Sequence, residues 1–278
     1  MIELHPPIRV PRRNIPCTNP SFRKGPFEAF RECGAVVLEG DPSDPLDLTG
    51  KWGENYTHWI VDVFSAYHFW ENQGRTPGVK LREGAQHVEH IAHSLSMRGL
   101  ISSKSDFSCN VINPLAYSSL VHPETVRWWR EEAGFIDIET PRYVLIQRAA
   151  EGSGPTQSRN FTERAAIHRE FEKRGIWLST VYLEGTSLDF QANLFKNADL
   201  IIAAHGSALT NLMFCKPTCK VIEVASVSRH NQTYSDIASY LDFPMIVAEG
   251  VEKKLHGPDK DYCLDIDPSY LLELYHSL

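Results

Sequence analysis

The stretch "FQANLFKNADLIIAAHGSALTNLMF", residues 190–214, decides the fold of this chain. It opens with apolar residues at helical spacing, continues with the mostly apolar run "DLIIAAH" at 199–205, and ends in "SALTNLMF", which predicts a second helix. A strand that leads through a short turn into a helix is typical of a parallel sheet covered by helices.

The same alternation continues on both sides of this stretch. It predicts a parallel sheet covered on both faces, in a Rossmann-like arrangement that binds its ligand at the carboxyl ends of the strands. The predicted strands are 143–148, 177–184, 199–205 and 220–226, and the predicted helices are 161–175, 187–198, 207–215 and 233–242.

The C-terminal segment after this alternation predicts one more helix at 268–278. We expect its Tyr270, Leu271, Leu274 and Tyr275 to pack on the protein. The charged segment "DKDYCLD" at 259–265 is interpreted as a solvated loop.

The N-terminal half has a less regular pattern. Its first part is rich in Pro and Gly, and helices are predicted at 58–72 and 122–135, with a strand at 108–117 between them. A hinge is predicted at 137–142. We therefore divide the chain into residues 1–140, 141–250 and 251–278.

Composition limits the classes of protein to consider. The chain has 28 basic and 35 acidic residues, which argues against nucleic acid or an anionic membrane surface as the main partner. No apolar run approaches the roughly 20 residues of a membrane helix, and the first residues lack the apolar centre of a signal peptide. The 6 cysteines form no framework pattern, so we expect reduced thiols in a soluble, cytoplasmic protein.

The His-Gly-Ser turn at 205–207 has the features of a phosphate site. A helix that begins at Ser207 or Ala208 presents unpaired amides and a positive dipole at the strand end. Gly206 allows close approach, and His205 is a candidate hydrogen-bond donor. The alternative is a capped helix beside a packed histidine. Arg148 and Arg159, after the strand at 143–148, favour phosphate, because guanidinium groups bind it in bidentate fashion.

A second candidate group lies in "GENYTHWIVD". On a helix His58 and Asp62 are one turn apart, and Asn55 lies one turn earlier. A carboxylate beside an imidazole is a credible general base. The alternative is that Asn55 caps the helix and His58 is a buried histidine with its hydrogen bonds satisfied.

Four segments in order, "NYTHWIVD", "VLIQR" with "SRN", residues 190–214 and "VIEV", resemble glycosyltransferase family 61. That family includes plant xylosyl- and arabinosyltransferases and animal enzymes that add N-acetylglucosamine to protein-linked Ser or Thr. The resemblance spans roughly residues 52–245. It implies a GT-B architecture, in which two Rossmann-like halves face a cleft, and inverting transfer that usually uses a UDP-sugar.

The resemblance also assigns roles by position. Asn55, His58 and Asp62 match the Asn-x-x-His motif across the cleft, and Ser207 stands where Ala is commoner. The residues that match donor-binding positions are Arg148, Gln191, His205, Gly206, Ser207, Ala208, Leu209 and Glu223.

From the resemblance we expect an inverting glycosyltransferase that moves xylose or N-acetylglucosamine from a UDP-sugar to a glycan or another hydroxyl acceptor. Asp62 is the expected base, with His58 orienting it or taking its place. Arg148, Arg159 and the helix terminus at Ser207 would stabilise the leaving diphosphate, so we expect neither a metal ion nor a further cofactor.

These roles map onto the three parts of the chain. Residues 1–140 would form the acceptor side, 141–250 would bind the donor, and 251–278 would pack back on the protein. The alternative is a non-catalytic module that binds nucleotide sugars or glycans on the same fold. Neither Gly-x-Gly-x-x-Gly nor Gly-x-Ser-x-Gly occurs at a strand end, which argues against a dehydrogenase or a hydrolase.

Overall fold

The computed structural model describes two compact units of the chain. One comprises Met1–Asn14 with Ile136–Leu278, and the other comprises Ile15–Phe135. The described residues are 8–9, 46–47, 56–58, 60, 78–80, 102–103, 110–111, 126, 129–131, 135–148, 160–226, 233–254 and 262–278.

Twelve strands and six helices lie within these described residues. The strands are β1 (Ile8–Arg9), β2 (Leu46–Asp47), β3 (Gly78–Lys80), β4 (Ser102–Ser103), β5 (Asn110–Val111), β6 (Tyr143–Gln147), β7 (Ser179–Tyr182), β8 (Leu200–Ala204), β9 (Lys220–Ala225), β10 (Met245–Glu249), β11 (Val251–Lys254) and β12 (Tyr262–Asp265). The helices are α1 (Tyr56–His58), α2 (Arg164–Glu172), α3 (Leu188–Asn197), the 3₁₀-helix Ser207–Phe214, α4 (Thr233–Leu241) and α5 (Pro268–Ser277).

The larger unit contains a six-stranded sheet in the order β1-β10-β9-β8-β6-β7. β10, β9, β8, β6 and β7 are parallel to their neighbours, and β1 pairs antiparallel with β10 at the edge. The predicted α/β class is therefore confirmed. In chain order the five parallel strands are arranged 2-1-3-4-5, which is a doubly wound, Rossmann-like order.

Most of the predicted elements of this unit are confirmed. β6, β7, β8 and β9 and helices α2, α3 and α4 lie within the predicted ranges. Local signals explain two of the helix starts. Ser187 caps α3 by accepting a hydrogen bond from the Phe190 amide at 3.1 Å, and Asp267 caps α5 in the same way, with Pro268 in the first turn.

The two faces of the sheet carry different helices. Leu145, Ile202 and Ile222 belong to a buried cluster with residues of α2, α5 and β12. Side chains alternate between faces along a strand, so Glu223 lies on the opposite face from Ile222. The 3₁₀-helix packs against α3 and α4.

The helix predicted at 207–215 is confirmed, and it is a 3₁₀-helix over Ser207–Phe214. Its residues from Leu209 to Phe214 are all buried. Within it the Asn211 side chain donates to the Ala208 carbonyl at 3.2 Å, which is an acceptor that an α-helix would use for its own backbone.

The C-terminal region both confirms and corrects the sequence analysis. α5 forms as predicted, with Leu271 and Leu274 buried and Tyr270 and Tyr275 partly buried against the same cluster. The solvated loop predicted at 259–265 is wrong for Tyr262–Asp265, which form β12. β12 pairs with β11 and bridges to Phe161, so its apolar side chains are covered.

Asp199 ties together the amino ends of three strands of the sheet. Its carboxylate is 2.6 Å from Arg142, just before β6, and it also pairs with Lys216, which precedes β9. Its amide donates to the Arg142 carbonyl, and its carbonyl accepts from Lys220. Burial alone would raise the pKa of Asp199, but hydrogen bonds from Lys216 and Arg142 outweigh burial and lower the pKa.

The smaller unit contains a second parallel sheet, in the order β4-β3-β2-β5. The predicted strand at 108–117 is present in part as β5, and residues 126 and 129–131 of the predicted helix 122–135 are helical. Trp129 is fully buried and donates its indole N–H to the Ile60 carbonyl at 3.4 Å. Among all the described residues, no helix is long and apolar enough to cross a membrane.

Candidate functional site

The carboxyl ends of β6 and β8 mark the point where the sheet reverses its direction of winding. The chain passes from β6 to its neighbour β7, and then crosses to β8 on the other side of β6. Open parallel sheets bind ligands in the crevice at this point. Arg148 directly follows β6 and His205 directly follows β8, so the fold brings both residues to that edge.

His205 is held by a buried carboxylate. Its Nδ1 pairs with Oε1 of Glu223 on the neighbouring strand β9, and Glu223 has no exposed surface. The register explains the contact. Ala203 is the strand partner of Glu223, and His205, two residues on, points to the same face. A carboxyl group hydrogen-bonded to Nδ1 fixes the orientation of the imidazole ring.

The His205 ring and backbone have two further contacts. The Tyr234 ring of α4 lies 5.1 Å from the imidazole centroid at an interplanar angle of 57°. The His205 amide donates to the Val224 carbonyl at 2.8 Å, which continues the β8–β9 ladder by one bond. The position of the ring at the strand end is therefore well defined.

The turn after His205 ends in the N-terminus of the 3₁₀-helix. Gly206 is the N-cap residue and makes no side-chain capping bond, whereas His205 is buried, as the alternative of a packed histidine predicted. The Leu209 amide donates to the Gly206 carbonyl at 2.9 Å. Ser207 and Ala208 precede it and are partly exposed, whereas Leu209 is buried.

Gln191 contributes to the support of this helix. It is buried on α3, and its Oε1 accepts a hydrogen bond from Asn211 of the 3₁₀-helix at 3.0 Å. Its Nε2 donates to the Thr186 carbonyl at 3.4 Å. Gln191 therefore links α3 to the turn that carries His205.

Arg148 is the residue that directly follows β6. Its amide donates to Oδ1 of Asn160 at 2.6 Å, and the next amide after Asn160, that of Phe161, donates to Oε1 of Gln147 at 3.1 Å. The chain therefore leaves the sheet at Arg148 and returns beside it at Asn160. Gln147 is buried, and its Nε2 has no hydrogen-bond partner in the described part of the chain.

Several predicted site residues lie outside the described residues. They are Asn55, Asp62 and Arg159, together with the side chain of His58. The backbone of Tyr56–His58 is helical, and of these residues only His58 belongs to the predicted helix at 58–72; Thr57 and Ile60 are buried. In the described ranges, no group of three or more His, Cys, Asp and Glu is arranged to hold a metal ion.

A comparison with protein-family models identifies the relationship. The model "Glycosyltransferase 61" matches residues 56–222. The chain belongs to glycosyltransferase family 61. A search among curated proteins found no match.

Membership in family 61 defines the general activity. The matched region includes β6, β8 and the turn at His205, so the edge described above belongs to the family's shared segment. The family indicates a glycosyltransferase, with a sugar donor and a glycan acceptor, and does not favour the alternative of a non-catalytic binding module.

Three contacts at this edge were not predicted from the sequence. Glu223 and Tyr234 contact His205, and Asn160 bonds to Arg148. Asn160 belongs to the "SRN" segment, so the sequence contained a polar residue that could have predicted a hydrogen bond near Arg148. Nothing in the sequence indicated the contact of Tyr234 with His205, because an aromatic residue on an amphipathic helix usually packs in the core.

Proposed function

We propose that this protein is an inverting glycosyltransferase that moves a sugar from a UDP-sugar to a glycan or another hydroxyl acceptor, with xylose and N-acetylglucosamine as the favoured sugars. One observation carries the proposal. Within the segment that matches family 61, Arg148 and the His205 turn both lie at the winding reversal of the sheet. A ligand that carries phosphate suits that edge.

The donor diphosphate would bind between Arg148 and the turn. The helix terminus at Ser207 and Ala208 offers backbone amides, which bind anions, and the guanidinium of Arg148 adds a full positive charge. Arg159 precedes Asn160, whose side chain bonds to the Arg148 amide, and we assign Arg159 to the same diphosphate. His205 would complete the group as a hydrogen-bond donor.

The two parallel sheets support a GT-B-like assignment. The larger unit has the order 2-1-3-4-5, and the four described strands of the smaller unit are arranged 3-2-1-4 in their own chain order. Both orders are those of doubly wound nucleotide-binding folds. In this proposal residues 141–250 bind the donor, the part of 1–140 that forms the smaller unit provides the acceptor side, and residues 251–278 pack on the donor half.

The proposed chemistry is a single displacement at the anomeric carbon. The acceptor hydroxyl attacks from the face opposite the leaving group, and a base takes its proton as the bond forms. We assign that base to Asp62, with His58 orienting the carboxylate. The departing UDP gains negative charge, which Arg148, Arg159 and the helix terminus stabilise, and this supply of fixed positive charge is why we propose no metal ion.

A donor screen tests the proposal directly. The protein is incubated with UDP-xylose, UDP-N-acetylglucosamine, UDP-glucose and GDP-sugars, and slow hydrolysis and thermal protection are recorded for each. We expect a UDP-sugar to be hydrolysed and UDP to raise the melting temperature. Protection by GDP-sugars alone would contradict the assigned nucleotide.

Substitution of the assigned base tests the mechanism. Asp62→Asn keeps the volume but cannot accept a proton at neutral pH, so transfer should fall by roughly 10²- to 10⁴-fold, as expected for general base catalysis. UDP affinity and melting temperature should change little. His58→Gln is the comparison, and it should cost less if the imidazole only orients Asp62. Near-normal turnover in Asp62→Asn would exclude the aspartate as the base.

A further inference from the structure

The carboxylate of Glu223 is buried in a way that packing does not explain. Glu223 has no exposed surface, its Oε1 pairs with His205, and its Oε2 has no hydrogen-bond partner among the described residues. A buried carboxylate with an unsatisfied oxygen is unfavourable, and apolar residues of similar volume often replace buried ion pairs without loss of stability. The unpaired oxygen therefore points to a role other than stability.

The same burial excludes Glu223 from direct contact with a bound molecule at the surface. His205, by contrast, retains a small exposed fraction of 8% and lies at the strand end beside Ser207 and Ala208. Among the described residues, the imidazole of His205 links the buried Glu223 carboxylate to the edge of the sheet. The pair is therefore ordered from the interior outward, with the carboxylate inside and the ring at the edge.

We propose that Glu223 is a positioning residue that orients His205 for the donor phosphates and does not itself bind the donor. The carboxylate keeps a proton on Nδ1 and fixes the plane of the ring, which Tyr234 packs against from α4. This inference rests on the proposed function, because it assumes that donor phosphates bind at the His205 turn. It revises the sequence resemblance, which assigned Glu223 to donor binding directly.

A double-mutant cycle separates positioning from direct binding. UDP affinity is measured by titration calorimetry for the wild type, Glu223→Gln, His205→Ala and the double variant. Glu223→Gln keeps the volume but removes the charge, and we expect UDP affinity to fall about 10-fold, as for other residues that orient a binding imidazole. Because Glu223 acts through His205, the same change should have little further effect in the His205→Ala background.

Glu249→Gln is the matched control. Glu249 ends β10, two strands from β8 in the same sheet, and is a partly buried glutamate outside the proposed site. It should leave UDP affinity unchanged. Equal UDP affinity in wild type and Glu223→Gln would overturn the positioning role, and so would an additive loss in the double variant. A wild type that binds none of the nucleotides would overturn the proposed donor site and this inference with it.

A spectroscopic measurement tests the orientation without any nucleotide. In ¹⁵N-labelled wild type we expect a slowly exchanging Nδ1 proton on the His205 ring, identified by its loss in His205→Gln. In Glu223→Gln that proton should exchange faster, because the amide does not enforce the same tautomer. An unprotonated Nδ1 in the wild type would overturn the inference even if Glu223→Gln fails to fold.

Discussion

The two edges of the large sheet use charge in opposite ways. At the amino edge Asp199 pairs with Arg142 and Lys216, whose side chains are 68% and 32% exposed. At the carboxyl edge Glu223 and His205 are almost fully enclosed, and one carboxylate oxygen has no partner among the described residues. The first arrangement satisfies both oxygens of the carboxylate, and the second does not.

This difference separates charges that stabilise the fold from charges that serve a ligand. Exposed ion pairs contribute little free energy, but Asp199 also joins the backbones of three strands, which gives the amino edge a structural purpose. At the carboxyl edge, by contrast, the polar side chains lie where an open parallel sheet forms its ligand crevice. Variants at the two edges should therefore differ in what they change.

The sharpest contrast is between two arginines that flank β6. Arg148→Ala at the carboxyl edge should weaken UDP binding by about 1.5 to 3 kcal/mol, the usual contribution of a charged hydrogen bond. Arg142→Ala at the amino edge should leave UDP affinity unchanged and cost at most about 1 kcal/mol of unfolding free energy. Calorimetric titration and urea unfolding measure both effects. Equal UDP affinity in the two variants would remove the distinction between the edges.

Two asparagine substitutions test how much the side-chain hydrogen bonds of the 3₁₀-helix at the carboxyl edge contribute to stability. Asn211 is buried and bonds to Gln191 and the Ala208 carbonyl, so Asn211→Ala should cost about 1–3 kcal/mol of unfolding free energy. Asn197→Ala, at the end of α3 and partly exposed, should cost less. Urea denaturation checks the order. A larger loss in Asn197→Ala would show that the link between Gln191 and Asn211 is dispensable.

The smallest expected effect is the pH dependence of the amino edge. The pKa of Asp199 is lowered in the folded state, so its contribution is fully present above its unfolded pKa of about 3.9 and is lost as the pH falls through the folded value. Asp199→Asn should therefore cost about 1 kcal/mol at neutral pH and progressively less in acid. Unfolding curves of both proteins from neutral to acid pH measure this. A constant difference down to the acid limit would mean that the carboxylate charge does not matter.

The sequence predicted the regular elements of the large unit well, because apolar runs of strand length alternate there with amphipathic helices. It missed β10, although "MIVAE" is mostly apolar, because no predicted helix followed it to complete the alternation. It also missed β12, whose preceding charges suggested solvent. Pairing with β11 and the bridge to Phe161 bury that strand, and neither contact is visible from local pattern.

The sequence predicted that Arg148 and His205 lie at the same edge of the sheet, but it did not predict the contacts between the side chains there. The positions of Arg148 and His205 followed from the rule that parallel strands align their carboxyl ends. That Glu223 lies beneath His205 depends on the β8–β9 register, which sequence spacing does not determine. The roles of Asp62, His58, Asn55 and Arg159 stay predictions from the family motif.

The bond between Arg148 and Asn160 joins the chain on the two sides of residues 149–159. The Arg148 amide nitrogen and the Asn160 Oδ1 are 2.6 Å apart. This bond holds the two ends of the segment together beside the sheet. Closing a longer loop costs only a slowly rising entropy, so changes in its length should be tolerated thermodynamically. Insertions between Arg148 and Arg159 should therefore leave β6 and α2 as they are.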